Sequence, residues 1–169
     1  MSFWPGLQIT LEHVFKSATG IPFVWDNDPI KVMEKPYGVL SLGQCITVGR
    51  DYSSYDFADK DPAIDTIGYR ELTISIQIFS RQARGEQSAR ALIERARLCL
   101  ASPVYKDELR SAGLVFVETH PVTDVNFSFQ NRLENRSIFE VVFRLVVNER
   151  SVNKELNYFE LIAFSENFQ

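Results

Sequence analysis

The constraint that most limits how this chain can fold is a pair of segments with a period of two. The first is Glu71-Leu72-Thr73-Ile74-Ser75-Ile76-Gln77-Ile78-Phe79-Ser80. Successive side chains on a strand leave opposite faces, so strict alternation gives one apolar row and one polar row. That is the pattern of an antiparallel sheet with one face covered. The second segment, 138–147, is apolar on one face and mixed on the other: Ile138, Val142 and Val146 share that second face with Glu140 and Arg144. A half-apolar outer face calls for a second layer or a partner, and points to assembly rather than turnover.

Helical periods supply the other half of the fold. Leu7, Leu11, Val14, Phe15 and Ala18 form one apolar stripe, with Pro5 to open the helix and Gly20 to end it. A longer helix is predicted over 83–100, with Ala89, Leu92, Ala96 and Cys99 in its stripe and Ile93 and Leu100 widening it. Its remaining positions hold Arg84, Glu86, Arg90, Glu94, Arg95 and Arg97, which read as a salt-bridged solvent face. Ser102-Pro103 supplies an N-cap and first-turn proline for a short helix ending near Ala112, with Gly113 at C′.

Shorter strands are predicted at 21–25, where Pro22 indicates a strand start or edge, at 39–42 with 45–48 and a bulge at Gly43, and at 114–118. Segment 119–136 reads as a polar loop with an apolar island at 125–129. Segment 51–68 mixes acids and aromatics without period, and reads as an extended loop or as two hairpin arms. After a polar stretch at 148–155, residues 158–164 form a last strand or a docking tail. The expected fold class is α+β, an antiparallel sheet packed against helices in a single domain over 1–149, with a C-terminal extension over 150–169. Ile74, Ile76, Leu92, Phe143 and Leu145 are the expected core.

Chemistry is sparse. The 169 residues suffice for one domain with its own core, and 45% hydrophobic with 24% charged residues is a globular composition. A net charge of −4 disfavours nucleic acid and anionic membranes as partners. No apolar run approaches the roughly 20 residues of a spanning helix, and the N-terminus lacks signal-peptide regions. His13 and His120 have no Cys or His at ligand spacing. Phosphate-loop, dinucleotide-loop and nucleophile-elbow motifs do not occur. Asp51, Asp56, Asp59, Asp61 and Asp65 lack the register, central glycine and closing glutamate of a calcium loop. Cys45 and Cys99 are expected to be buried free thiols rather than a disulfide. No catalytic, metal or cofactor residue is assigned.

The ordered set of segments resembles the tail terminator (neck terminator) proteins of tailed bacteriophages, from the first helix to about Glu149. The resemblance rests on Ile21-Pro22-Phe23-Val24-Trp25 followed by Pro36-Tyr37-Gly38-Val39, on Tyr69-Arg70-Glu71-Leu72-Thr73-Ile74-Ser75-Ile76-Gln77, on the two-helix excursion with Leu109-Arg110-Ser111-Ala112-Gly113-Leu114, and on Pro121-Val122-Thr123-Asp124 with Arg136-Ser137-Ile138-Phe139-Glu140-Val141-Val142-Phe143-Arg144. It implies a structural virion protein of the tail or neck, assembled in the bacterial host cytoplasm, without enzyme activity or cofactor. The implied assembly is a homohexameric ring at the head-proximal end of the tail tube. Its neighbours would be the tube protein below, head-completion or connector proteins above, and a sheath where the tail has one. Genomic DNA would pass through the lumen without specific binding.

A closing ring needs two different adhesive patches on each subunit. Tyr52, Tyr55 and Phe57 in 51–68, and Tyr158, Phe159 and Phe164 in the tail, are the candidate partner-binding residues. The competing readings are a small intracellular binding module with a pocket between sheet and helices, and an enzyme using an unrecognised acid pair.

Overall fold

The structure is a computed structural model that describes residues 3–28, 33–56, 63–125, 127–129 and 132–152. The elements are α1 (Phe3–Thr19), β1 (Phe23–Trp25), β2 (Tyr37–Asp56), β3 (Ala63–Ser80), α2 (Ala89–Cys99), α3 (Pro103–Ser111), β4 (Leu114–Thr119), β5 (Thr123–Asp124), β6 (Phe127–Phe129) and β7 (Arg132–Val152). The α+β class is as expected. The strand order is β1-β2-β3-β7-β4, with β5 and β6 also pairing with β7. The sheet is mixed: β1 runs parallel to β2, with Phe23 opposite Gly38, while β4, β5 and β6 run antiparallel to β7. The chain divides into two units, Met1–Ile46 with Glu71–Leu145, and Thr47–Arg70 with Val146–Gln169.

The first unit holds the helices and the core. Leu72, Ile74, Ile76 and Ile78 on β3, and Phe139, Val141, Phe143 and Leu145 on β7, are buried, as the alternation requires. From the helical side come Leu7, Leu11, Val14 and Phe15 of α1 and Leu92, Ile93 and Ala96 of α2, also buried. Helix α1 packs on both α2 and α3. All five expected core residues are in this core. Gly38 sits so close to the Phe23 ring that a Cβ there would lie 2.2 Å from its Cε1. Phe23 in turn packs on Phe15 at 5.6 Å between ring centroids.

Several boundaries differ from the sequence expectation. Helix α2 begins at Ala89, not at 83. Gly85 has φ of 87°, and Ser88 caps the helix by accepting from the Ala91 amide at 3.3 Å. Arg84 and Glu86 therefore precede the helix. Residues 119–136 are not simply loop: the Val125 amide donates to the Arg136 carbonyl at 2.7 Å and the His120 amide to the Glu140 carbonyl at 2.8 Å, so this stretch follows β7. Backbone pairing of this kind leaves no apolar period to read. Gly20 and Gly113 end α1 and α3 with φ of 76° and 80°, as expected of C′ glycines.

Cys99 is buried, but Cys45 is exposed, contrary to expectation. The run around Cys45 reads as apolar, yet every residue from Leu42 to Thr47 is exposed, so no core covers that part of β2. Burial pushes the Cys99 thiol up to about 12.

Candidate assembly interface

The second unit is built of strand alone among its described residues: the later part of β2, the earlier part of β3 and the end of β7. Cross-strand contacts fix its faces. Arg70 donates to both oxygens of Asp51, at 2.6 and 2.7 Å, and the Ser53 and Thr66 hydroxyls meet at 3.5 Å. One residue number rises as its partner falls, so these parts of β2 and β3 run antiparallel. Gly68 lies under the Asp51–Arg70 pair: a Cβ there would stand 2.2 Å from Asp51 Oδ1 and 2.4 Å from Arg70 Nη1. The absent side chain is what admits the ion pair. The hydrogen bonds from Arg70 hold the Asp51 carboxyl below the ordinary carboxylate range, against the opposing effect of desolvation.

On the opposite face Arg150 of β7 reaches Asp56 at 2.9 Å and Asp65 at 3.4 Å. The three described acids of this segment are thus each held by an arginine. Asp59 and Asp61 lie outside the described residues.

Among the described residues of this unit only Ala63 and Gly68 are buried. A strand ribbon with so little buried apolar area has no core of its own. Its aromatics face outward instead: Tyr52 is 68% exposed, Tyr69 53% and Tyr55 47%. The alternation that joins Asp51 with Arg70 sends Tyr55 to that face, and Tyr52 and Tyr69 to the other. Tyr52 and Tyr55 are therefore not one patch. Tyr69 is the residue that joins Tyr52, and its position at the head of the alternating run of β3 was the available signal. Phe57, Tyr158, Phe159 and Phe164 lie outside the described residues.

In the first unit, the outer row of the sheet carries polar pairs among half-buried apolar groups. Tyr37 stacks on Phe79 at 5.1 Å, and the Arg136 guanidinium lies 5.2 Å from the Phe79 ring centroid while donating to Gln77. Arg144 pairs with Glu71, and His120 with Glu140 at 3.1 Å. Ile138 and Val142 are half-buried, and Glu140 and Arg144 exposed. The helix charges pair as expected, Arg90 and Arg97 with Glu94 and Arg95 with Glu86. His13 meets Glu108 at 2.6 Å, a contact between α1 and α3 across 95 residues that no local pattern announces.

Between α3 and β4 lies a shallow cleft of about 110 Å³, lined by Lys106, Leu109, Arg110, Val115 and Phe116. It is smaller than the roughly 300–1,000 Å³ of small-molecule pockets. No group of three or more metal-ligating side chains occurs among the described residues, and no described helix is long and apolar enough to cross a membrane.

No curated protein matches the chain. The sequence does match, over residues 9–165, the family described as phage neck terminator protein. That span takes in most of α1, both other described helices, the described strands and the uncored ribbon of the second unit, and the chain belongs to the phage neck terminator family.

Proposed function

We propose that the chain is a structural subunit which closes into a homohexameric ring, caps the head-proximal end of the phage tail tube, stops tube polymerisation and joins the tail to the head-completion proteins. The observation that carries this reading is the second unit. Among its described residues it has strand and no helix, two buried residues, and three tyrosines facing outward. Such a ribbon gains its burial from another chain. Membership of the neck terminator family supplies the setting in the virion.

The subunit serves by shape and contact, with no catalytic step and no cofactor. Tyr52 with Tyr69 on one face, and Tyr55 on the other, give the ribbon two different contact surfaces, as a heterologous interface requires. Segment 51–68 acts as an assembly arm, joined in that role by Phe57 and by Tyr158, Phe159 and Phe164 of the extension. The tube lies on one side of the ring, the connector on the other, and a sheath beside it where the tail is contractile. The net charge of −4 suits a lumen that DNA crosses without adhering.

Electron microscopy of the assembled particle tests the reading. A six-fold layer containing this chain at the end of the tube is expected. A layer of other symmetry, or the chain's absence from the neck, would overturn it.

A further inference from the structure

Strand β4 ends the strand order, and its outer edge pairs with no strand among the described residues. An open edge is a template for another strand, and proteins ordinarily guard it with charged side chains, proline, a bulge or cover. Leu114-Val115-Phe116-Val117-Glu118-Thr119 has neither lysine nor proline; its guards, Glu118 and the bulge at Val117, fall in its second half and leave Leu114 to Phe116 open. Val115 is 49% exposed and Val117 40%, and a register shift between Phe116 and Glu118 leaves Val117 as the extra residue. Beside this edge lies the cleft with an apolar floor of Leu109 and Phe116 and two cationic side chains, Lys106 and Arg110.

We infer that this edge and cleft receive the C-terminal segment 158–164 of a second copy of the chain, which adds to β4 as a strand. The inference rests on the ring reading and names one of the contacts that closes the ring.

Three features of the chain select this occupant. Its sequence, Tyr158-Phe159-Glu160-Leu161-Ile162-Ala163-Phe164, sets a wholly apolar row of Phe159, Leu161 and Ala163 against a row containing Glu160. The second row, Tyr158, Glu160, Ile162 and Phe164, is mostly apolar too, so the segment is a short apolar run that needs cover on both faces. From Glu155 onward the segment carries Glu155, Glu160 and Glu166 and no lysine or arginine, complementing Lys106 and Arg110. Five residues, 153–157, lie between Val152 and Tyr158, a reach of up to about 20 Å when extended, which suits a neighbour packed against this subunit. The donor must be another copy, because a tail folded onto its own edge would saturate both patches and leave nothing to propagate the ring. Backbone pairing supplies the affinity and the apolar row the register, as in strand addition generally.

The test uses full-length chain in assembled particles. In a Cys45→Ser background, Val115→Cys is combined in turn with Phe159→Cys, Leu161→Cys or Ala163→Cys, so that one pair matches the register. Mild oxidation should give a ladder of covalent oligomers up to six on a non-reducing gel for at least one pair. Ile9→Cys, exposed on α1, combined with the same tail positions, should give none. A ladder as strong from position 9, only intrachain closure, or no crosslink in particles whose six-fold ring is visible, overturns the inference and leaves the ring standing. Absence of a ring containing this chain defeats the functional reading itself, and the inference with it.

Discussion

Gly68 shows how a single missing side chain organises a surface. A methyl at that position would displace the Asp51 carboxylate and Arg70 guanidinium that meet above it. Asp51 has its folded-state pKa below its unfolded value, so the pair contributes stability above the unfolded value, and that contribution disappears as pH falls through the folded value. Gly68→Ala should release this: an NMR titration should find the Asp51 carboxyl shifted up toward the ordinary carboxylate range, with the core of the first unit unchanged. An unchanged Asp51 titration would mean that the pair forms without the glycine. Gly38→Ala acts differently, because the obstacle is the buried Phe23 ring. Overpacking of that kind costs about 1–3 kcal/mol. Leu92, fully buried, should lose about 2–5 kcal/mol on replacement by alanine. Both are measured by denaturant unfolding, and a Leu92→Ala loss under about 0.5 kcal/mol, the scale of surface changes, would contradict its place in the core. Leu92 was legible because a helical stripe declares its own face. Gly38 and Gly68 were not: each is glycine for the sake of a side chain on another strand, and nothing local records it.

At the scale of elements, the sequence was readable where a period reported burial. The inner rows of β3 and β7 and the stripes of α1 and α2 fall where alternation and the 3.6-residue repeat put them. It was unreadable where strand is held by backbone pairing without a covered face. Strand β2 continues to Asp56 and β3 starts at Ala63, through the very stretch whose lack of period left loop and hairpin arms as alternatives. Polar and aromatic residues there serve ion pairs and outward contact, and such pairs leave no hydrophobic signature. Gly49, with φ of 78° inside β2, adds the left-handed geometry found in G1 bulges. A ribbon with so little of its own core opens locally at low cost in the free chain. Limited proteolysis should therefore cut within 51–68 quickly in the free subunit and slowly in the assembled particle. Equal protection in both states would show that the ribbon is stable by itself, and the arm reading would fail.

For the whole molecule, charge and contact separate a phage neck protein from a nucleic-acid-binding one. The arginines of α2 are tied to glutamates, Arg110 of α3 to Asp107, and Arg70 and Arg150 of the ribbon to aspartates. Duplex DNA should therefore bind more weakly than the roughly 10⁻⁴–10⁻⁶ M of non-specific DNA-binding proteins at physiological salt. A tighter, steeply salt-dependent affinity in a filter or anisotropy assay would revive a nucleic-acid role. The two cysteines carry a practical consequence. With Cys99 buried and its thiol pushed up to about 12, almost none of it is thiolate at neutral pH, whereas Cys45 stands open on β2. The wild-type chain is thus equipped with a single-site handle: one maleimide dye per subunit, without mutation, gives a fluorescent reporter in which the rate of labelling before and after assembly tells whether the Cys45 stretch of β2 becomes an inner seam of the neck or stays on its outside.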